Sequence, residues 1–288
     1  MWIPLVLLYG VFKGLREICK KKAMVTSTPL EVLLIYTLIS FVLVVPDAFN
    51  AMGMEARFYG YIAIKSFVIF VAWIFSFYAI KNLPISLFGV LDLSRVLFAT
   101  FLGVVFLGEI MSPLQITGLV LVCSGLLLLK VKFNKKEESE QEQVKHKNQT
   151  VFIIMAFVSC AFNAISGFMD KILMKDLNSS QLQFWYMLFL VIFYVIFVLV
   201  TKQKIRIVNT IKNKWVWLLS ILFVVADRAL FLANGMAESR VTEMTLIKQA
   251  GCIVTILAGR YIFKEKGTVH KLICAAVIIT GIVLGVMK

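Results

Sequence analysis

Charge is scarce in this chain. Only 16% of its 288 residues are Asp, Glu, Lys or Arg, against 60% hydrophobic residues and a mean hydropathy of +0.91. A soluble domain is about half apolar and about a quarter charged. Water is therefore not the main solvent of this surface, and little chain remains for a separate soluble domain. Histidine is nearly missing: His146 lies in a charged segment and His270 near a helix end, so neither has the company of a metal ligand. Cys19, Cys123, Cys160, Cys252 and Cys274 stand singly in or beside apolar runs, without the paired spacing of a metal or redox motif. They read as small core hydrophobes. No nucleophile motif and no roomy loop is present, whereas a membrane-embedded enzyme gathers acids, histidines or metal ligands at a membrane surface. The expectation is a non-enzyme with no catalytic residue, metal or cofactor. The opening Met1-Trp2-Ile3-Pro4 lacks the basic region and small-residue cleavage site of a signal peptide, so the first segment is expected to be retained.

Basic residues exceed acidic ones, 30 Lys and Arg against 16 Asp and Glu, a net charge of +14. They concentrate at the ends of apolar runs, where lysines anchor helices among anionic headgroups. No basic stripe carries the interleaved exposed aromatics of a single-strand binder, so nucleic acid is not an expected partner.

What is present is a succession of apolar runs at residues 3–20, 30–49, 58–80, 85–107 and 114–129, then 151–174, 184–200, 215–236, 244–263 and 272–286. Crossing a hydrocarbon core takes about 20 residues, so about ten crossings nearly exhaust the chain. The prediction is an all-α membrane protein of about ten transmembrane helices in two five-helix sets, residues 1–130 and 150–288, joined by a charged linker at 131–149. The two sets echo each other. Gly125 follows Glu109, and Gly281 follows Glu265, at the same interval; Ile85 and Val241 precede those glutamates equally; Phe12, Lys21 and Met24 match Phe162, Lys171 and Met174. An odd number of spans per set starts the second on the opposite side from the first. The result is an inverted repeat, with a substrate site expected near the midplane between the halves.

Leu107-Gly108-Glu109 before Pro113-Leu114-Gln115 and Gly118, the echo Phe263-Lys264-Glu265-Lys266, and Leu83-Pro84-Ile85 opening the fourth span carry a resemblance to a known family. With Gly118, Gly125, Gly281 and Gly285 in the last helix of each half, the chain resembles the drug/metabolite transporter superfamily, in its EamA-type ten-helix branch. The resemblance implies secondary transport and a cytoplasmic N-terminus. One departure stands out: EamA proteins commonly have an uncharged first helix rich in aromatics and glycine, whereas this one carries Lys13, Arg16 and Glu17.

Ionisable residues inside spans are costly and normally face a cavity or a partner. The candidates for substrate binding or gating are Lys13, Arg16, Glu17, Lys65, Trp73, Asp92, Arg95, Asp227, Arg228, Lys248 and Gln249. Asp92 and Arg95, three apart, share a helix face and can neutralise each other; Lys13 and Glu17 are spaced to pair at i and i+4. The repeat sets Asp92 opposite Lys248, as a central gate or binding pair. Adjacent Asp227 and Arg228 must face different ways. Asp170 and Lys171 read as snorkelling residues, Trp185, Tyr186, Trp215 and Trp217 as an interfacial belt, and Glu109 and Glu265 as acids at helix ends. Tyr36, Trp73, Tyr78, Trp185 and Tyr186 are alternatively the material of an aromatic cage for a cation.

The expected function is secondary active transport, import or export, of a small polar metabolite of the amino-acid or organic-acid kind. A proton is the expected coupling ion, with Glu17, Asp92 or Asp227 to carry it, and the protein is a monomer or homodimer. A non-transporting membrane scaffold or receptor, or a membrane-embedded enzyme, is the alternative. The lysine- and isoleucine-rich composition points to a bacterial cytoplasmic (inner) membrane. Orientation is contested: the family's habit puts Lys20, Lys21 and Lys22, the linker, residues 202–214 and residues 264–266 outside, whereas the positive-inside rule puts them in the cytoplasm.

Overall fold

The computed structural model describes residues 2–131, 140–265 and 268–286, and these form helices joined by short connections, without strands. In chain order the helices are α1 (Trp2–Ala23), α2 (Pro29–Val44), a 3-10 turn (Val45–Ala51), α3 (Ala56–Asn82), α4 (Ile85–Asp92), α5 (Arg95–Leu107) and α6 (Pro113–Val131). There follow α7 (Glu140–Leu173), α8 (Ser179–Thr201), the short α9 (Ile207–Ile211), α10 (Lys214–Asn234), α11 (Val241–Lys248), α12 (Gly251–Tyr261) and α13 (Thr268–Val286). Among the described residues seven stretches are long and apolar enough to cross a membrane: Pro29–Ala51, Ala56–Asn82, Ile85–Leu107, Gln149–Leu173, Ser179–Thr201, Lys214–Asn234 and Val241–Tyr261. In hydrocarbon only a helix meets its own backbone hydrogen-bonding needs, which is why such runs fold this way. The other three apolar runs of the sequence are helical as well. Charges interrupt α1, and the apolar parts of α6 and α13 are the shorter Pro113–Gly125 and His270–Gly281. Side chains of linker residues 131–148, and all of residues 132–139, lie outside the described residues.

Matching local signals start matching helices. Thr28 caps α2 in a capping box with Glu31, with Pro29 in the first turn; Asn178 caps α8 in a box with Gln181. Two runs that read as continuous helices, residues 85–107 and 244–263, are each bent in the middle. At Leu93-Ser94 the ladder tightens to i→i−3 bonds, Leu93 N–H to the Val90 carbonyl at 3.1 Å and Ser94 N–H to that of Leu91 at 3.0 Å. At Gln249-Ala250 it does the same, with bonds to Leu246 and Ile247 at 3.0 and 3.1 Å. Neither bend is at a proline; the local 3-10 winding is the cause.

Close helix approach uses missing side chains. A Cβ on Gly251 would strike the Gly10 carbonyl, and one on Gly14 would come within 2.6 Å of the Gly251 carbonyl, so α1 lies backbone to backbone on the bend between α11 and α12. Likewise a Cβ on Gly281 would meet the Gly118 carbonyl at 2.5 Å, seating α13 on α6. Elsewhere α1 packs on α10, α3 on α7 and α8, and α4 on α12. This arrangement surrounds a polar centre.

Candidate functional site

The centre is a cavity of about 70 Å³ walled by α1, α3, both bent helices, α7, α8 and α10. One water needs about 10–15 Å³ on this measure, so the space holds several waters or a small polar group. The cations Lys13, Arg16, Lys20, Lys65, Arg95 and Lys248 face the acids Glu17, Asp92, Asp170 and Asp227.

Nearly every cation is matched. Asp92 binds Lys13 through one carboxylate oxygen and Arg95 through the other, the latter at 2.8 Å. Arg16 Nη1 donates to Asp227 at 3.1 Å, and Lys20 to Glu17 at 2.8 Å. Lys65 lies 3.0 Å from Asp170, at ion-pair distance but without hydrogen-bond alignment. Lys248 is the exception: among the described residues no carboxylate lies within 4 Å of it, and its ammonium stands 5.7 Å from the centre of the Tyr9 ring. Several hydrogen-bonding atoms in and beside the cavity also lack partners among the described residues, including Arg16 Nε, Arg95 Nε, Glu17 Oε2 and Gln249 Nε2.

Of the sequence candidates, Lys13, Arg16, Glu17, Lys65, Trp73, Asp92, Arg95, Asp227 and Lys248 line this one cavity. Gln249 stands just behind it and accepts from Lys13 at 3.4 Å. Arg228 does not belong. One position from Asp227, it turns outward to the Asp47 carboxylate, to Gln183 at 2.5 Å and to Ser180 at 2.9 Å.

Two expected pairings change, and two residues lie deeper than expected. Glu17 takes Lys20 rather than Lys13, because Lys13 is captured by Asp92 at the end of α4, and Asp92 is thereby kept from Lys248. Asp170, read as a snorkelling acid, is buried against Lys65. Tyr186, read as a belt residue, is 2% exposed and carries the Lys65 ammonium 3.3 Å above its ring centre. The aromatic cage therefore exists in part: Tyr36, Trp73, Tyr186 and Phe223 touch ring to ring. It holds the protein's own cations, with Arg16 4.6 Å from the Phe223 centre. Lys20, Asn163, Ser166 and Thr245 also line the cavity, though they were not among the candidates for substrate binding or gating.

The helix-end acids do more than end their own helices. Glu109, just after α5, accepts from Val241 N–H at 2.9 Å and Thr242 Oγ1 at 2.6 Å and so caps α11. Glu265, just after α12, accepts from Ile85 N–H at 2.6 Å and from the Ser86 hydroxyl and so caps α4. Each bent helix is thus held at its N-terminus by a carboxylate that follows the other.

A bundle of helices long and apolar enough to cross a membrane, closed around a polar cavity, is a multi-pass integral membrane protein. The model of the EamA-like transporter family matches residues 1–131 and 150–287, and the chain belongs to that family. Membership makes it a membrane transporter of the drug/metabolite type. One solved structure, described only as the crystal structure of a protein, superposes with a TM-score of 0.67 over 98% of each chain at 14% identity, a likeness of fold. No curated protein matches the chain in sequence.

Proposed function

We propose that this protein is a secondary active transporter of a small anionic or zwitterionic metabolite, of the amino-acid or organic-acid kind. It works by alternating access at the central cavity between two inverted five-helix repeats, residues 1–130 and 150–288. The observation that carries the reading is Lys248, a buried cation facing the cavity with no carboxylate within 4 Å among the described residues. A buried charge without a partner is costly, and a substrate carboxylate supplies one.

The neighbouring network suits the same task. Asp92 is shared between Lys13 and Arg95, so an incoming anion takes one of those cations while the other still compensates Asp92. The bends at Leu93-Ser94 and Gln249-Ala250 stand at matching places of the two halves, beside Asp92 and Lys248, where locally unwound helices let one half rock against the other. A proton taken up by Glu17 or Asp227 when the cavity is empty is the coupling ion in this scheme; Asp92, held between Lys13 and Arg95, is not free to take one.

The test is the melting midpoint of purified protein against a panel of amino acids, organic acids, amines and nucleosides, since a ligand of the folded state raises it by mass action. An acid-bearing compound is expected to raise the midpoint of the wild type but not of Lys248→Gln. A shift produced only by amines, or one that persists undiminished in Lys248→Gln, would overturn the reading.

A further inference from the structure

The connection between α8 and α10 takes no part in the cavity, yet it is built with care. Arg206 at its start donates through its backbone N–H and its Nε to Glu31, at 3.0 and 3.1 Å. Thr210 is fully buried against Ser27, and Asn213 Nδ2 reaches the Ala23 carbonyl at 3.3 Å. Trp217 Nε1 donates to the Ile211 carbonyl at 2.8 Å. The connection is thus pinned to the ends of α1 and α2.

Two features of this pinned element have no use inside the molecule. Along α9 the apolar side chains Ile207, Val208 and Ile211 point outward, at 50%, 64% and 41% exposure, on one side of the helix turn. Beside them an open cleft of about 610 Å³ is edged by Lys22, Asn209, Lys212, Lys214 and Trp215. Among the described residues none of these three lysines has a carboxylate within 4 Å; Lys22 lies over the Phe263 ring at 5.1 Å and Lys214 over that of Trp215 at 5.9 Å. The corresponding connection of the first half, between α2 and α3, carries Asp47 and Glu55 instead, so the basic cleft is peculiar to this end.

We infer that the cleft is a binding site for the headgroup of an anionic phospholipid, with Lys22, Lys212 and Lys214 on the phosphate and Ile207, Val208 and Ile211 in the first part of the acyl layer. A surface-lying element with cations beside exposed apolar side chains matches both parts of such a lipid. A free phosphate shares the headgroup's chemistry but leaves the apolar side in water. The site is independent of the cavity and of what the cavity carries.

The experiment compares the full chain in phosphatidylcholine nanodiscs with and without phosphatidylglycerol, reading the melting midpoint and, by native mass spectrometry, the lipid retained on release. The wild type is expected to retain phosphatidylglycerol in preference to phosphatidylcholine and to melt higher in its presence. The triple variant Lys22→Gln/Lys212→Gln/Lys214→Gln should lose both effects while melting like the wild type in phosphatidylcholine alone. Equal retention of the two lipids by the wild type, undiminished retention of phosphatidylglycerol by the triple variant, or the same rise in midpoint from inorganic phosphate alone would overturn the site. Should the triple variant fold poorly, Lys212→Gln/Lys214→Gln, at two exposed positions, is read against the same outcomes.

Discussion

Asp92 serves two buried cations at once, and that shared duty makes the cavity's electrostatics sensitive to its loss. Removing one partner of a buried pair leaves an uncompensated charge and costs about 3–5 kcal/mol. Asp92→Asn is therefore expected to melt far below the wild type, because Lys13 and Arg95 then face each other without an acid between them. Adding Lys13→Gln should recover part of the loss, since it removes one of the two stranded cations; the double-mutant cycle measures the coupling. A wild-type melt for Asp92→Asn would show that these side chains are solvated rather than paired. Lys248→Gln behaves differently at this scale: it removes a cation that has no acid to strand, so binding should suffer while the fold stands.

Among the elements, the bent helices and their caps form one device. Glu109 and Glu265 each bond the first N–H groups of a bent helix, where the helix dipole also favours a carboxylate. Glu265 lies between α12 and α13, partly buried. Burial alone raises its pKa, but the Ser86 hydroxyl, the Ile85 N–H and the nearby Lys271 and Lys21 outweigh that and hold it below the ordinary glutamate value. A carboxyl depressed in the folded state stabilises at pH above its unfolded value of about 4.3 and loses that contribution as pH falls through the folded value. Glu265→Gln is therefore expected to cost about 1–2 kcal/mol at neutral pH, and the gap between variant and wild type should narrow as pH falls below about 4. Denaturation of both proteins across that range checks it; a gap constant with pH would mean that the hydrogen bonds, not the charge, do the holding. Lys264, at φ 52°, occupies the left-handed position that Gly108 fills at φ 64° after α5. The connection after α12 thus makes the matching turn before Glu265 with a residue that adopts this conformation at some cost.

At the scale of the whole molecule the two ends of the bundle differ in charge. One end gathers the C-termini of α1, α3 and α6, the N-terminus of α2 and the α8–α10 connection. They are tied by Lys21 to the Leu83 carbonyl at 2.5 Å, by Arg206 to Glu31 and by His270 to the Leu128 carbonyl at 3.2 Å. Lys22, Lys81, Lys202, Lys204, Lys212 and Lys214 crowd this end. The other end joins the α2–α3 connection to the start of α8, through Asn178 to Asn50 and Trp185 to Ala51, and carries Asp47, Glu55 and Glu109. Under the positive-inside rule the lysine-rich end faces the cytoplasm, against the family's usual orientation. In a cysteine-free background, Glu55→Cys should then react with a membrane-impermeant maleimide added to intact cells and Lys204→Cys should not; the opposite pattern would restore the family's orientation.

Composition by itself determined that the chain lives in a bilayer, because 60% hydrophobic residues leave water no other role than that of a boundary. It also marked where most helices run, since an apolar run long enough to cross has only the helix available to it. The cost of ionisable groups in hydrocarbon was enough to pick out Lys13, Asp92, Asp227 and Lys248 as inward-facing. Pairing was another matter. Spacing along one helix suggested Lys13 with Glu17, and only the packing of α1 against α4 gave Lys13 to Asp92 and left Lys248 without an acid. Tyr186 and Asp170 likewise looked superficial, because residues near a run's end carry no sign of which neighbour will cover them. The bends at Leu93-Ser94 and Gln249-Ala250 left no proline to read, and Glu109 and Glu265 cap helices more than a hundred residues away in sequence. Such partners are chosen by how helices from the two halves come together, and no local pattern contains that information.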